Sequence, residues 1–301
     1  MTSQAITILT GPTASGKTAA ALKIAADTDG VIVNADSMQV YKDLPILTAH
    51  PNAEERAAAP HRLYGILDAS ERTTAADWCR RASAEIAAIL DAGQHPVLVG
   101  GSGLYIKSLI EGLSPIPDVD PDIRVDLEAQ AHEEGLAAIR GQLMMHDADS
   151  FTRLEDNDTQ RNLYALGVFL SSGKPLSYWQ SLPRLSPPAD WSFTIKLMLP
   201  EREALYAKIE KRFDMMIEDG ALDEVAALAS RIDQGEVASD AAIIVAHGFR
   251  ALRDHLNGKI SLDDAKDIGV LDTRHYAKRQ FTWARHQYKV GGNVQNVEQM
   301  A

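Results

Sequence analysis

A chain of 301 residues has room for one α/β core and a smaller second lobe, and 45% hydrophobic with 24% charged residues is the composition of a globular protein. No run approaches the ~18 apolar residues of a membrane-spanning helix, and the single cysteine, Cys79, excludes an internal disulfide and a cysteine-rich zinc site. The net charge of −12 lacks the basic footprint of a nucleic-acid binder, yet between Val270 and Val290 Arg274, Lys278, Arg279, Arg285 and Lys289 face only Asp272, so a local basic surface is open to the chain.

In chain order, Met1 to Thr10 enters a strand-like run with no basic head and no small-residue cleavage site. A signal peptide is therefore not expected, and the expected location is cytoplasmic. Ala5 to Thr10 reads as a strand, Ala19 to Ala26 as a helix, and Val31 to Asn34 as a second strand. Thr73 or Thr74 caps a helix running through Ile86 and Leu90 to Gly93, with Cys79 as a packed thiol on it. Pro96 to Val99 is a third strand, broken by Gly100-Gly101-Ser102-Gly103 before a helix over Leu104 to Ile110. Strands alternating with helices predict an α/β fold, a parallel sheet flanked by helices, with ligands beyond the carboxyl ends of its strands.

After Ser114 the pattern changes. Pro115, Pro117 and Pro121 lie among aspartates, helical periodicity runs from Ile123 to about Leu170, and Pro183, Pro187 and Pro188 close the region. Phe193 to Leu199 returns to strand character, and Arg202 to Tyr288 is mostly amphipathic helix. The expected domains are a core of residues 1–117 and 189–301 with an inserted helical domain of residues 118–188.

Gly11, Pro12, Thr13, Ala14, Ser15, Gly16, Lys17 and Thr18 fit G-x-x-x-x-G-K-[ST] at every position, between a strand and a helix. The glycines turn backbone N–H groups onto phosphate oxygens, Lys17 adds a full charge, and the Thr18 hydroxyl suits a phosphate-bound Mg²⁺. Alone, this P-loop would suit ATP, as in a small-molecule kinase. A P-loop NTPase, however, adds an acid at another strand end, and the strand to Val99 ends in glycines and Ser102 instead. The acid at a strand end is Asp36, read either as a helix N-cap or as a general base facing the phosphates. The glycine run is either a tight turn or a way of bringing the Ser102 hydroxyl into the same cleft.

The chain resembles the bacterial tRNA dimethylallyltransferases over nearly its full length. The resemblance is carried by Gly11 to Thr18, Asp36-Ser-Met-Gln-Val-Tyr41, Gly100-Gly-Ser-Gly-Leu-Tyr105, Asn157-Asp-x-Gln-Arg161, Gly173-Lys-Pro-Leu-Ser177 and Tyr276-Ala-Lys-Arg-Gln-Phe-Thr-Trp283. It implies transfer of a dimethylallyl group from dimethylallyl diphosphate to N6 of the adenosine 3′ of the anticodon, with diphosphate as leaving group. Gly11 to Thr18 would then bind diphosphate with Mg²⁺ on Thr18, and Asp36 and Ser102 would be catalytic. Arg202 would add a cation to the diphosphate or remain a surface salt-bridging arginine.

For the anticodon stem-loop the resemblance points to Asp36, Ser37, Met38, Gln39, Ser102, Arg124, Gln160, Arg161, Asn162, Leu163 and Tyr164. Near the C-terminus it points to Arg274, Lys278 and Arg285, which fall within about 40° of one another at helical spacing and share that stripe with Phe281. Phe281 and Trp283 read equally as core residues. A flipped-out loop base suits both RNA reading and a buried diphosphate. The expected protein is a monomer without membrane contact. Departures from the family pattern fall at His50, Asp147-Ala148, Tyr164, Gly167 and Ala251. A nucleotide-gated RNA binder without chemistry is disfavoured by Asp36 and Ser102.

Overall fold

The computed structural model describes residues 3–300; Met1 and Thr2, on which the signal-peptide reading partly falls, and Ala301 lie outside the described residues. The chain forms two compact units, Met1–Ile110 with Pro187–Ala301, and Glu111–Ser186.

The first unit opens with β1 (Gln4–Thr10), α1 (Lys17–Thr28), β2 (Gly30–Asn34), α2 (Ala53–Ala58), β3 (His61–Arg62), α3 (Ala75–Asp91), β4 (His95–Gly100) and α4 (Gly103–Glu111). The second unit contains α5 (Pro121–Glu134), α6 (Leu136–His146), α7 (Ala148–Arg153), α8 (Thr159–Ser172) and α9 (Leu176–Ser181). The chain then returns to the first unit through β5 (Trp191–Met198), α10 (Arg202–Glu218), α11 (Ala221–Asp233), α12 (Phe249–Leu256), α13 (Leu262–Gln287) and β6 (Val294–Met300).

Six parallel strands lie in the order β3-β2-β4-β1-β5-β6. The inner strands β1, β2 and β4 are buried along nearly their whole length, as parallel strands covered on both faces must be. Register positions the site: Thr10 pairs with Gly100 and Asn34 with Val99, so the loops after β1, β2 and β4 leave the sheet at one level. Val294–Met300 is an edge strand, mostly open to solvent and polar enough that its sequence carries no strand signal.

Of the two expected caps, Thr73 and Thr74, it is Thr74 that caps α3, in a capping box with Asp77. On α3 the buried residues Trp78, Cys79, Ala82, Ile86 and Ile89 form the core-facing stripe. Trp78 stacks on Tyr105 at 4.6 Å and donates from Nε1 to Asn34 O at 2.9 Å, tying α3 and α4 to the end of β2. Burial pushes the Cys79 thiol up to about 12, so it is a packed, unreactive thiol. The Glu224 carboxylate on α11 accepts from Ile46 N at 2.8 Å and Leu47 N at 3.1 Å and pins the long segment between β2 and α2.

In the helical unit, Val119, Leu127, Ile139, Leu143, Leu166 and Val168 form a separate apolar core. Asp147, 3% exposed, accepts from Ser150 N and Ser177 N at 3.1 Å each, so one carboxylate caps α7 and anchors α9. At Gly167 a Cβ would lie 2.8 Å from Val119 Cγ1. An acidic side chain therefore has no room at this departure from the family pattern.

Candidate active site

The P-loop after β1 is shaped by close approach. A Cβ on Gly11 would sit 2.2 Å from Met198 O at the end of β5. Lys17 Nζ donates to Gly11 O at 2.9 Å and Pro12 O at 2.7 Å. The Ser15 hydroxyl is buried and makes no hydrogen bond to the described residues. These groups, with Thr18, line a cleft of about 270 Å³.

Two further cations enter this cleft from α10, Lys208 and Arg212, one helical turn apart. Arg212 Nη2 donates to Thr13 Oγ1 at 2.5 Å. It reaches the loop because the Phe213 ring lies against Gly269 of α13, where a Cβ would be 2.4 Å away. Burial lowers the Lys17 ammonium to about 8, with Asp36 opposing the shift and Arg212 adding to it. Burial likewise lowers Arg212, with Asp36 opposing. A desolvated group of cations around one carboxylate favours a polyanion.

An anion entering the cleft favours charged Lys17 and raises its pKa, so binding takes up a proton where free Lys17 is partly neutral. Calorimetry with dimethylallyl diphosphate, the ligand that the family resemblance implies, at about pH 8.5, where terminal phosphates are fully ionised, should show proton uptake between buffers of different ionisation enthalpy. Uptake should vanish at about pH 6.5, where Lys17 is already charged. Equal heats in both buffers at the higher pH would contradict the role of Lys17.

The loop after β2 carries Asp36. Asn34 Oδ1 accepts from Asp36 N at 2.9 Å, and Asn34 Nδ2 donates to Asp36 O at 3.0 Å and Leu63 O at 3.1 Å. Asp36 Oδ1 accepts from Met38 N at 2.9 Å, while Oδ2 makes no hydrogen bond within the described residues. No helix starts here, the next being α2 at Ala53, so the helix-cap reading of Asp36 does not hold. The turn aims a carboxylate oxygen at the cleft.

A second hollow of about 300 Å³ adjoins the first, and Thr13, Asp36 and Arg212 line both. Its wall is largely apolar, with Leu47, Ile209, Phe213, Met216 and Val245, and its polar groups include His247, Tyr276 and Arg279. Burial lowers His247 and raises the Tyr276 phenol, so both are neutral near pH 7. Asp36 thus stands between a cationic cleft and an apolar hollow.

Ser102 lies one layer behind this wall. Its Oγ accepts from Ser37 N at 2.8 Å and donates to Ser37 Oγ at 3.1 Å, and Ser37 is the serine that lines the hollow. The glycines around Ser102 have separate reasons. A Cβ at Gly100 would strike Ala35 O at 2.0 Å, one at Gly101 would strike Gln280 Nε2 at 2.0 Å, and one at Gly103 would strike Trp283 Nε1 at 2.1 Å. Trp283 is therefore a packing residue under α4, while Phe281 is half-buried beneath Arg285 at 5.9 Å.

Arg202 does not line either hollow. It is exposed at the start of α10 and donates from Nε to Tyr206 OH at 2.9 Å. The arginine in the cleft is Arg212, which sequence reasoning missed, although Lys208 and Arg212 share a helical face. Met38 lines the hollow, whereas the Gln39 amide donates to Thr48 O and Ala49 O and is spent on its own loop.

Among the expected RNA contacts, Asn162 is fully buried and its side chain is satisfied by Arg140, Glu155 O and Asp158 O. Leu163 packs on the helical core. Both face inward because Asn162, Ala165 and Leu166 share one side of α8. Gln160, Arg161 and Tyr164 are exposed. Partial burial raises the Tyr164 phenol, with Asp118 adding to the shift and Arg124 opposing it. On α13, Lys278 and Arg285 are exposed, whereas Arg274 pairs with Glu210 at 3.0 Å.

Among the described residues no group of three or more His, Cys, Asp or Glu could hold a metal, and no helix is long and apolar enough to cross a membrane. A P-loop on a parallel sheet, with a carboxylate between its phosphate cleft and an apolar hollow, defines a group-transfer enzyme of the P-loop α/β class. The IPP transferase family model matches residues 39–287, and the chain belongs to that family. It is 46% identical over 282 residues to a tRNA dimethylallyltransferase of Rhodopseudomonas palustris (strain BisA53), covering 93% of this chain and 84% of the relative. The full-length tRNA isopentenylpyrophosphate transferase of Bacillus halodurans superposes with a TM-score of 0.64 at 31% identity, over 99% of this chain and 90% of that one. A eukaryotic dimethylallyltransferase acting on tRNA superposes with a TM-score of 0.81 at 25% identity, over 98% and 74%.

Proposed function

We propose that this chain is a tRNA prenyltransferase that moves a dimethylallyl group from dimethylallyl diphosphate to N6 of the adenosine 3′ of the anticodon. The carrying observation is that Thr13, Asp36 and Arg212 line both hollows. The diphosphate occupies the cationic cleft and the allyl carbon meets the adenine beside Asp36.

In the transfer, the N6 lone pair attacks C1 of the allyl group as the C1–O bond breaks and its electron pair leaves with diphosphate. Asp36 takes the N6 proton, for which its Oδ2 is available, and this matters because an adenine amine is a poor nucleophile. Lys17, Arg212, Ser15 Oγ and the loop N–H groups meet the charge growing on the leaving group. Thr18, half-buried in the cleft, would hold a Mg²⁺ that supplies further neutralisation there. Ser102 positions the Asp36 turn through Ser37. The target base leaves the loop stack to enter the hollow.

Lys278 and Arg285 on α13, and Arg124, Gln160, Arg161 and Tyr164 in the helical unit, supply cationic, amide and stacking groups for the anticodon stem-loop. The protein acts as a cytoplasmic monomer. To test the activity, purified protein is incubated with total tRNA and either dimethylallyl diphosphate or ATP, and the tRNA is digested to nucleosides. N6-dimethylallyl adenosine should appear with the diphosphate alone. ATP consumption without prenylated nucleoside would return the chain to the kinase reading.

A further inference from the structure

Gln280 of α13 is 7% exposed and joins two loops that belong to different strands. Its Oε1 accepts from Thr13 N in the P-loop at 2.8 Å, and its Nε2 donates to Gly101 O beside Ser102 at 3.0 Å. The same amide occupies the space that a Cβ on Gly101 would need. Thr13 is thereby held twice, through its N–H by α13 and through Oγ1 by Arg212 of α10. The other loop end is held to the Asp36 turn by the Ser102–Ser37 hydrogen bonds.

We propose that Gln280 is a positioning residue for the transfer: its amide locks the P-loop to the loop after β4 and so fixes the diphosphate relative to Asp36. It touches neither substrate, and the inference rests on the prenyl-transfer reading above. An amide is required because one end must accept and the other must donate. A carboxylate accepts at both ends and faces the Gly101 carbonyl with a lone pair, whereas a protonated carboxyl again offers one acceptor and one donor. The Tyr276 phenol hydrogen-bonds the Gln280 side chain, Arg212 is bound to the same threonine through Thr13 Oγ1, and Lys17 and Asp36 are in turn coupled to Arg212.

The test compares the unaltered protein with Gln280→Glu and Gln280→Met, reading kcat/KM for dimethylallyl diphosphate across pH as the ratio of variant to unaltered protein. At about pH 8 both variants should fall by roughly 10- to 100-fold, the loss expected when a buried carbonyl is left without its donor. For Gln280→Glu the ratio should recover at least severalfold towards about pH 6, because burial and the facing carbonyl favour the protonated carboxyl. For Gln280→Met it should stay flat. Affinity for an anticodon stem-loop should remain within about twofold for both. A flat ratio for Gln280→Glu, or equal losses in transfer and RNA affinity for Gln280→Met, would overturn the proposal. Absence of transfer by the unaltered protein would instead overturn the reading beneath it.

Discussion

Replacing Asp36 with asparagine should lower kcat for prenyl transfer by about 10²- to 10⁴-fold, the usual contribution of a positioned general base. Asparagine keeps the oxygen that accepts from Met38 N, so the turn that shapes the loop survives. What is lost is the proposed base beside N6. The removed charge is also the one that opposes the lowering of Lys17 and Arg212 by burial. Deleting an anion beside a bound anion does not weaken diphosphate binding where Lys17 stays charged, so KM for dimethylallyl diphosphate should not rise at about pH 6.5. Single-turnover transfer with an anticodon stem-loop, alongside its binding affinity, separates these effects. Normal single-turnover chemistry with lost RNA affinity would reassign Asp36 to RNA binding.

Arg212→Ala should lower kcat/KM for dimethylallyl diphosphate by about 10²- to 10³-fold, comparable with removing one preorganised donor from a developing anion. The substitution removes a cation from the cleft and the hydrogen bond that holds Thr13 Oγ1. Arg212→Lys restores charge but not the planar fork and should recover only part of the loss. Arg202→Ala serves as the contrast: its side chain rests on Tyr206 in solvent, and steady-state kinetics should change less than about twofold. Equal losses for the two arginines would contradict the assignment of the cleft cation.

The pair also shows what was legible in the residues alone. The turn after β5 places Arg202 next to a strand end, which made it the natural candidate. The helix that begins there carries Arg212 about 15 Å further along its axis, and tertiary packing, including Phe213 against Gly269, brings that turn to the P-loop. Local signals served well elsewhere. The glycine-lysine loop, the buried strands and the Thr74 cap each depend on neighbours in sequence. Gln280 did not announce itself, because its partners Thr13 and Gly101 lie far away along the chain. Asn162 shares the side of α8 that carries Ala165 and Leu166, a spacing that marks it as inward-facing, whereas the motif around it points to RNA.

In the proposed transfer, the P-loop of this chain holds a leaving group. The most direct test is to follow diphosphate release in the transfer reaction while counting N6-dimethylallyl adenosine in the digested tRNA. One diphosphate should appear for each adenosine modified at the position 3′ of the anticodon, with no release when tRNA is omitted. Release that proceeds without tRNA, or prenyl groups on other nucleosides, would contradict the account.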